Sequence, residues 1–199
     1  MKALFLFLSL LFFFNQKSNS QGCLTADIMF VIDWSGSERG NETKIISSVT
    51  MFLDNLNISE NQVRAGAIIF SDNPIGVVEL TGDKEQLEMG LEWLSYTYAD
   101  GNTYIKESIE SAGTELYNKR NVPKIMIIIS DGEISDIDNA VHTMDIMKSV
   151  ISLSVFAIQI GGSTFGRDNL ILLTGSPLTV EFSSPTNLVE SLKRLNLCN

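Results

Sequence analysis

Residues 27–37, DIMFVIDWSGS, pass from an apolar stretch directly into a polar loop. The range 27–32 has the length and the largely unbroken apolar character of a buried strand. Asp33, Ser35 and Ser37 follow it and place a side-chain oxygen at every second position. In an extended loop this spacing turns the three side chains to one side. The stretch therefore predicts a strand that ends in an oxygen-rich loop.

Strand-like and helix-like segments alternate along the rest of the chain. A short connection between two of the strand-like segments favours an antiparallel edge strand. Continuous apolar strands that alternate with helices predict an α/β fold with a mostly parallel sheet covered on both faces. The apolar runs predict strands over 27–32, 64–70, 74–80, 124–129, 153–160 and 179–182. Helical apolar spacing and helix-start signals predict helices over 42–56, 83–94, 104–119, 138–149, 168–173 and 186–195.

Two further loops contribute oxygen side chains at the same predicted edge of the sheet. Asp131 follows a buried strand in the sequence Ser-Asp-Gly, and Thr103 precedes a helix in the sequence Gly-Asn-Thr. Ligands of such sheets bind beyond the carboxyl ends of the strands, where the strand order reverses. Hard oxygen ligands, few in number and completed by water, favour Mg²⁺ or Mn²⁺ over Ca²⁺. The predicted metal ligands are Asp33, Ser35, Ser37, Thr103 and Asp131.

The expected role of this cation is binding rather than hydrolysis. Serine and threonine hydroxyls leave much of its charge unneutralised, so it would attract one more anionic oxygen, such as a partner's carboxylate. No His, Cys or Lys accompanies the set, and hydrolysis would also need a positioned base or nucleophile.

These loops resemble the metal-ion-dependent adhesion site of the von Willebrand factor A-type domain, with all five motif positions filled. The resemblance covers residues 23–198 and implies a doubly wound, Rossmann-like sheet of six strands with the metal at its top. It also implies that a Glu or Asp of a partner completes the coordination. Among A-domains, the chain looks most like those of matrilins and collagen VI-type chains. This likeness implies an adhesive role toward a matrix protein such as collagen, or toward a cell-surface receptor.

Aromatic residues beside the predicted metal loops are candidates for contact with the partner. Trp34 departs from the family pattern, in which a smaller residue is common, and we expect it to form part of the recognition surface. The remaining candidates are Tyr96, Tyr98 and Tyr104.

The N-terminus predicts a secretory signal peptide. Met1-Lys2 is basic, residues 3–14 are apolar, and residues 15–20 are polar and end in small side chains, which is the order of such a peptide. The apolar run is shorter than the about 20 residues that a membrane span needs. We therefore expect residues 1–20 to be removed, leaving one secreted, extracellular domain over 23–198 without membrane insertion.

Charge, cysteines and sequons agree with an extracellular protein. The formal net charge of −10 disfavours nucleic acid and anionic membranes as partners. An even cysteine count favours a disulfide between Cys23 and Cys198, with links to other chains as the alternative. The sequons at Asn41 and Asn57 predict N-glycosylation at the surface.

Two other functions remain open at this point. The metal could only order the loops of a structural matrix module. A Mg²⁺-dependent hydrolase is the second alternative, but an Asp-x-Asp phosphotransfer motif would need a carboxylate where the chain has Ser35. Neither a Gly-x-Ser-x-Gly elbow nor a Gly-x-Gly-x-x-Gly loop is apparent.

Overall fold

The computed structural model describes residues 25–117, 120–161 and 163–183. Two short 3₁₀ turns, Gly36–Glu38 and Pro177–Thr179, accompany the longer elements. The strands are β1 (Ala26–Asp33), β2 (Val63–Phe70), β3 (Pro74–Thr81), β4 (Lys124–Ser130), β5 (Leu153–Ile160) and β6 (Val180–Ser183). The helices are α1 (Glu42–Leu53), α2 (Lys84–Ser95), α3 (Lys106–Leu116), α4 (Ile137–Ile151) and α5 (Thr164–Thr174).

The six strands form one sheet in the order β3-β2-β1-β4-β5-β6. Only the pair β2 and β3 is antiparallel, and the other neighbouring pairs are parallel. This confirms the predicted α/β fold with a mostly parallel sheet and one antiparallel edge strand. The chain leaves β1 toward β2 and later returns to β4 on the other side of β1. The strand order therefore reverses between β1 and β4, and their carboxyl ends form the expected ligand-binding edge.

Each face of the sheet carries its own hydrophobic core. Along β1, Ile28, Phe30 and Ile32 belong to one cluster, and Met29 and Val31 belong to the other. This alternation follows from the two-residue period of a strand. The first cluster packs against α1 and α2, and the second packs against α3, α4 and α5. The sheet is thus covered by helices on both faces, as predicted.

An ion-pair cluster anchors β1 at the end opposite the predicted metal loops. Asp27 is fully buried and accepts hydrogen bonds from Arg64 Nε at 2.9 Å and from Lys124 Nζ. Arg64 and Lys124 are also the register partners of Asp27 on β2 and β4. A buried charge is tolerated when it is paired and hydrogen-bonded. The cluster therefore fixes the lateral alignment of the three central strands.

Several element boundaries differ from the predicted ones. Helix α3 begins at Lys106 rather than at residue 104, because Asp136 accepts hydrogen bonds from the N–H groups of Ile105 and Lys106 and caps the helix there. Helix α5 begins at Thr164 rather than at 168, since the Ser163 hydroxyl accepts a hydrogen bond from Gly166 N at 3.1 Å. Each boundary depends on a side-chain cap.

Some predictions fall outside the described residues. These are the signal peptide over 1–20, the cysteine pair Cys23 and Cys198, and the helix over 186–195. Within the described part of the chain, no helix combines the length and the apolar character that crossing a bilayer would require.

Candidate metal centre

The carboxylate of Asp33 is buried and held in place at the end of β1. Its Oδ1 accepts a hydrogen bond from Ser35 N at 2.9 Å, and its Oδ2 accepts one from Ser130 Oγ at 2.6 Å. The hydroxyl oxygens of Ser35 and Ser37 lie 3.1 Å apart. The loop after β1 thus gathers a fixed carboxylate and two neighbouring hydroxyls, as the alternating spacing predicts.

Backbone hydrogen bonds attach the Thr103 loop to the loop after β1. Gly36 N donates to Gly101 O at 3.1 Å, and Asp100 N donates to the carbonyl of residue 34 at 3.1 Å. Thr103 itself is buried, and its carbonyl accepts a hydrogen bond from Ser135 N at 2.8 Å in the loop after β4. The Thr103 loop therefore lies between the other two, and the three predicted loops meet at one edge of the sheet.

Asp131 is positioned by an unusually close approach of two backbone segments. Its Oδ1 accepts a hydrogen bond from Glu133 N at 2.9 Å. The next residue, Gly132, has φ of +83°, and a Cβ there would collide with the carbonyl oxygen of Gly166 in α5. A Cβ on Gly166 would in turn collide with the carbonyl oxygen of Asp131. Two glycines thus let the loop after β4 rest directly on α5, with Asp131 at its tip.

The donor chemistry of these loops fits a hard divalent cation. All five predicted ligands offer oxygen, and two of them are carboxylates, which suits Mg²⁺ or Mn²⁺ with water completing the shell. Within residues 25–117, 120–161 and 163–183, no group of three or more His, Cys, Asp or Glu side chains is arranged to hold a metal. A cation at this edge would therefore depend on the hydroxyls as well as on the carboxylates. The hydroxyl donors are Ser35, Ser37 and Thr103.

A third carboxylate, Glu38, is buried beside this group and was not predicted. Its side chain is 3% exposed, and its Oε2 has no hydrogen-bond partner among the described residues. Burial, with the charges of Asp33 and Asp131, raises the pKa of Glu38 to about 8. Burial also raises the pKa of Asp33 to about 6, against the opposing effect of its hydrogen bonds. From sequence, a glutamate in a polar loop predicts an exposed side chain, and only the tight turn at Gly36–Glu38 directs it inward.

The raised pKa values predict a pH-dependent stability for the metal-free protein. Asp33 and Glu38 bind protons more tightly in the folded chain than in the unfolded one. Their contribution is therefore complete below about pH 4 and is lost as the pH rises toward 8. The shifts from 3.8 to about 6 and from 4.5 to about 8 predict that the free energy of unfolding in EDTA falls by roughly 5 kcal/mol between pH 5 and pH 8.

Urea denaturation at pH values between 5 and 8 measures this fall. Saturating Mg²⁺ should flatten the dependence, because the cation replaces protons as the counter-charge of the carboxylates. Equal pH dependence in EDTA and in Mg²⁺ would contradict the expectation.

The prediction that Trp34 forms part of a recognition surface is wrong. Its side chain is 0% exposed and belongs to the core beneath α1 and α2. Its Nε1 donates a hydrogen bond to Thr97 O at 2.8 Å. The alternation that turns Asp33 and Ser35 toward the loop edge turns the residue between them into the protein.

The tyrosines remain accessible at the surface. Tyr96, Tyr98 and Tyr104 are all exposed. Arg39 lies over the ring of Tyr98, with its guanidinium carbon 4.9 Å from the ring centroid, and donates to Asp100 Oδ1 at 2.8 Å. Tyr98 therefore belongs to a charged rim next to the candidate metal centre.

The two sequons differ in accessibility. Asn57 is exposed, whereas Asn41 is half-buried and immediately precedes α1. Both lie at the surface, as predicted, and their glycosylation stays a prediction.

Comparisons with known proteins place this geometry among similar domains. The model of the von Willebrand factor type A domain matches residues 27–193. The collagen alpha-6(VI) chain of Mus musculus is 31% identical over 163 residues, which cover 75% of this chain and 7% of the collagen chain. The chain therefore spans a small part of that relative.

Solved structures resemble this chain as well. The pilus adhesin SpaC of Lactobacillus rhamnosus GG has a TM-score of 0.73 at 19% identity, over 87% of this chain and 29% of that one. Proximal thread matrix protein 1 of the mussel byssus, solved with zinc occupying its MIDAS motif, has a TM-score of 0.73 at 20% identity, over 88% of this chain and 46% of that one. At these identities the likeness shows the fold alone.

Proposed function

Because the chain belongs to the von Willebrand factor type A domain family, we propose that it is a metal-dependent adhesion module. A divalent cation bound by three loops captures an acidic side chain of an extracellular protein. The residues that hold the cation are Asp33, Ser35, Ser37, Thr103 and Asp131.

One observation carries the proposal. Asp33 is buried at the point where the strand order reverses, and both of its oxygens are held by the hydrogen bonds of Ser35 N and Ser130 Oγ. A carboxylate kept in place at such a position costs desolvation energy. A cation offsets that cost, so the arrangement suits metal binding better than it suits a turn.

The chain's own residues account for the binding role. Ser35, Ser37 and Thr103 offer neutral oxygens, whereas Asp33 and Asp131 offer charge. Because the hydroxyls are neutral and the two carboxylates are proposed to act partly through water, the cation keeps much of its charge and attracts one further carboxylate. The cation supplies the electrostatic attraction, and the exposed tyrosines at the rim supply contact area to the partner.

Mg²⁺ or Mn²⁺ is the proposed cation, because hard oxygen donors and few protein ligands favour these ions. The zinc found in the mussel protein is compatible with the same geometry. Zinc nevertheless prefers nitrogen and sulfur ligands, which the five proposed residues lack.

A non-enzymatic role fits the described residues best. The single histidine of the chain, His142, lies on the exposed side of α4 and not in the three loops. The proposed ligands therefore include no imidazole that could act as a general base. We also propose that the protein is secreted after loss of residues 1–20, with Cys23 and Cys198 joined and Asn41 and Asn57 glycosylated.

A capture experiment tests the proposal. The protein is immobilised and exposed to an extracellular-matrix extract in Mg²⁺, in Mn²⁺ and in EDTA. We expect bound matrix protein to fall at least tenfold in EDTA, because the partner's carboxylate loses its counter-charge.

The matched control is the same extract after its carboxyl groups have been converted to amides. We expect this treatment to remove capture to the same extent as EDTA. The proposed mechanism would be overturned if capture were undiminished in EDTA, or if proteins of the amidated extract were captured as well as those of the untreated one.

A further inference from the structure

Glu38 occupies a position that a free carboxylate rarely occupies. It ends the 3₁₀ turn that immediately follows Ser35, is 3% exposed, and keeps one oxygen, Oε2, without a hydrogen-bond donor among the described residues. A buried acceptor without a donor costs about 1–3 kcal/mol, and more when it is charged. The side chain of Asn41 hydrogen-bonds to the Glu38 carboxylate, but no described group donates to Oε2.

The surroundings of Glu38 indicate what could offset this cost. Glu38 directly follows the proposed ligand Ser37 and ends the turn that begins after Ser35, and the charges of Asp33 and Asp131 both act on its carboxylate. Three carboxylates in a buried region repel each other unless a positive charge lies among them. A cation held by the proposed ligands provides that charge, and its hydration shell provides hydrogen-bond donors.

Direct coordination by Glu38 is less favoured than contact through water. In the described ranges no three acidic side chains converge as a metal-binding group. Glu38 is therefore not grouped with Asp33 and Asp131 as a third carboxylate ligand. A water molecule on the cation can instead donate a hydrogen bond to a carboxylate outside the coordination shell.

We propose that Glu38 is a positioning residue of the metal centre, where its Oε2 accepts a hydrogen bond from a water molecule bound to the cation. The inference rests on the proposed function, because it requires a cation at the three loops. The third carboxylate tightens cation binding and lowers the positive charge left for a partner's acidic group. Capture of the partner is then weaker, and cation retention stronger, than two carboxylates alone would give.

Terbium luminescence tests this role, because Tb³⁺ prefers oxygen ligands and its decay in H₂O and D₂O counts the coordinated water molecules. The variants are Glu38→Gln, which keeps the shape, and Glu38→Leu, which removes every oxygen. The control is Asp100→Asn, which removes a carboxylate whose side chain is 71% exposed at the rim. Urea denaturation in EDTA establishes that each variant is folded.

We expect both Glu38 variants to weaken Tb³⁺ and Mg²⁺ binding 10- to 100-fold, as the loss of an outer hydrogen-bonding partner does. The number of coordinated waters should stay as in the wild type, and Asp100→Asn should change affinity less than about threefold. Wild-type affinity in the Glu38 variants would overturn the inference, and so would a gain of about one coordinated water. If the unaltered protein bound neither cation, the proposed function would fail as well. If it bound both cations and the Glu38 substitutions did not change their affinity, this inference alone would fail.

Discussion

Asp33→Asn is expected to weaken Mg²⁺ and Mn²⁺ binding at least 100-fold, which is about 3 kcal/mol. The substitution keeps the shape of the side chain and removes one of the two carboxylate charges proposed to face the cation. Asparagine can still accept from Ser35 N and can donate to Ser130 Oγ, so both hydrogen bonds have a counterpart. We therefore expect the free energy of unfolding in EDTA at pH 7 to rise rather than fall, because the substitution removes a buried charge whose pKa burial raises to about 6. Isothermal titration with each cation, together with urea denaturation, measures both effects.

The same variant separates adhesion from a purely structural metal. We expect capture of the matrix partner to disappear together with cation binding. If capture persisted while stability in Mg²⁺ decreased, the cation would only order the loops. Asp100→Asn is again the matched control for cation binding, since it removes a carboxylate at the rim without touching the proposed ligands.

Gly132→Ala is expected to have the largest effect on stability, on the order of 4 kcal/mol. About 1 kcal/mol arises because φ of +83° is unfavourable for alanine. The rest arises because the new Cβ would meet the backbone carbonyl of Gly166, which can retreat only if α5 moves off the sheet edge. Any such movement displaces Asp131, so we also expect at least tenfold weaker cation binding wherever the variant is folded. Urea denaturation and metal titration measure the two consequences.

Gly40→Ala is the matched control for this prediction. Gly40 has nearly the same φ, +84°, but a Cβ there would meet no described atom within 4 Å. It should therefore cost only the conformational penalty of about 1 kcal/mol. Similar losses in the two variants would contradict the claim that contact with α5 positions Asp131.

The fold was predictable because its signals are local. The apolar run of β5, although interrupted at Ser154 and Gln159, predicted the boundaries Leu153–Ile160 without error. The short connection from β2 to β3 indicated the antiparallel edge pair, which the sheet contains. Helix starts were less predictable, because the cap of α3 comes from Asp136, a residue about thirty positions away in the chain. Such a cap has no signature in the sequence of the helix whose start it determines.

The candidate metal centre was likewise predictable where local spacing determines it and unpredictable where distant contacts do. The spacing of Asp33, Ser35 and Ser37 indicated side chains on one side of a loop, and their loop meets the other two at the sheet edge. The same spacing also implied that Trp34 points away from these side chains. Its size and position beside the loop nevertheless suggested a surface role, which was wrong. Glu38 was missed because burial of a charged residue in a one-turn helix depends on contacts from several loops.

Because Trp34 is buried, its intrinsic fluorescence can report on the proposed metal loop. Its indole lies in the core directly behind the proposed metal loop, and its N–H is fixed to Thr97 O. The second tryptophan, Trp93, is 59% exposed on α2. Iodide or acrylamide should therefore quench Trp93 and spare Trp34, leaving a blue-shifted emission from a single site. Changes in that residual fluorescence on adding Mn²⁺ would follow the loop in real time without any attached dye.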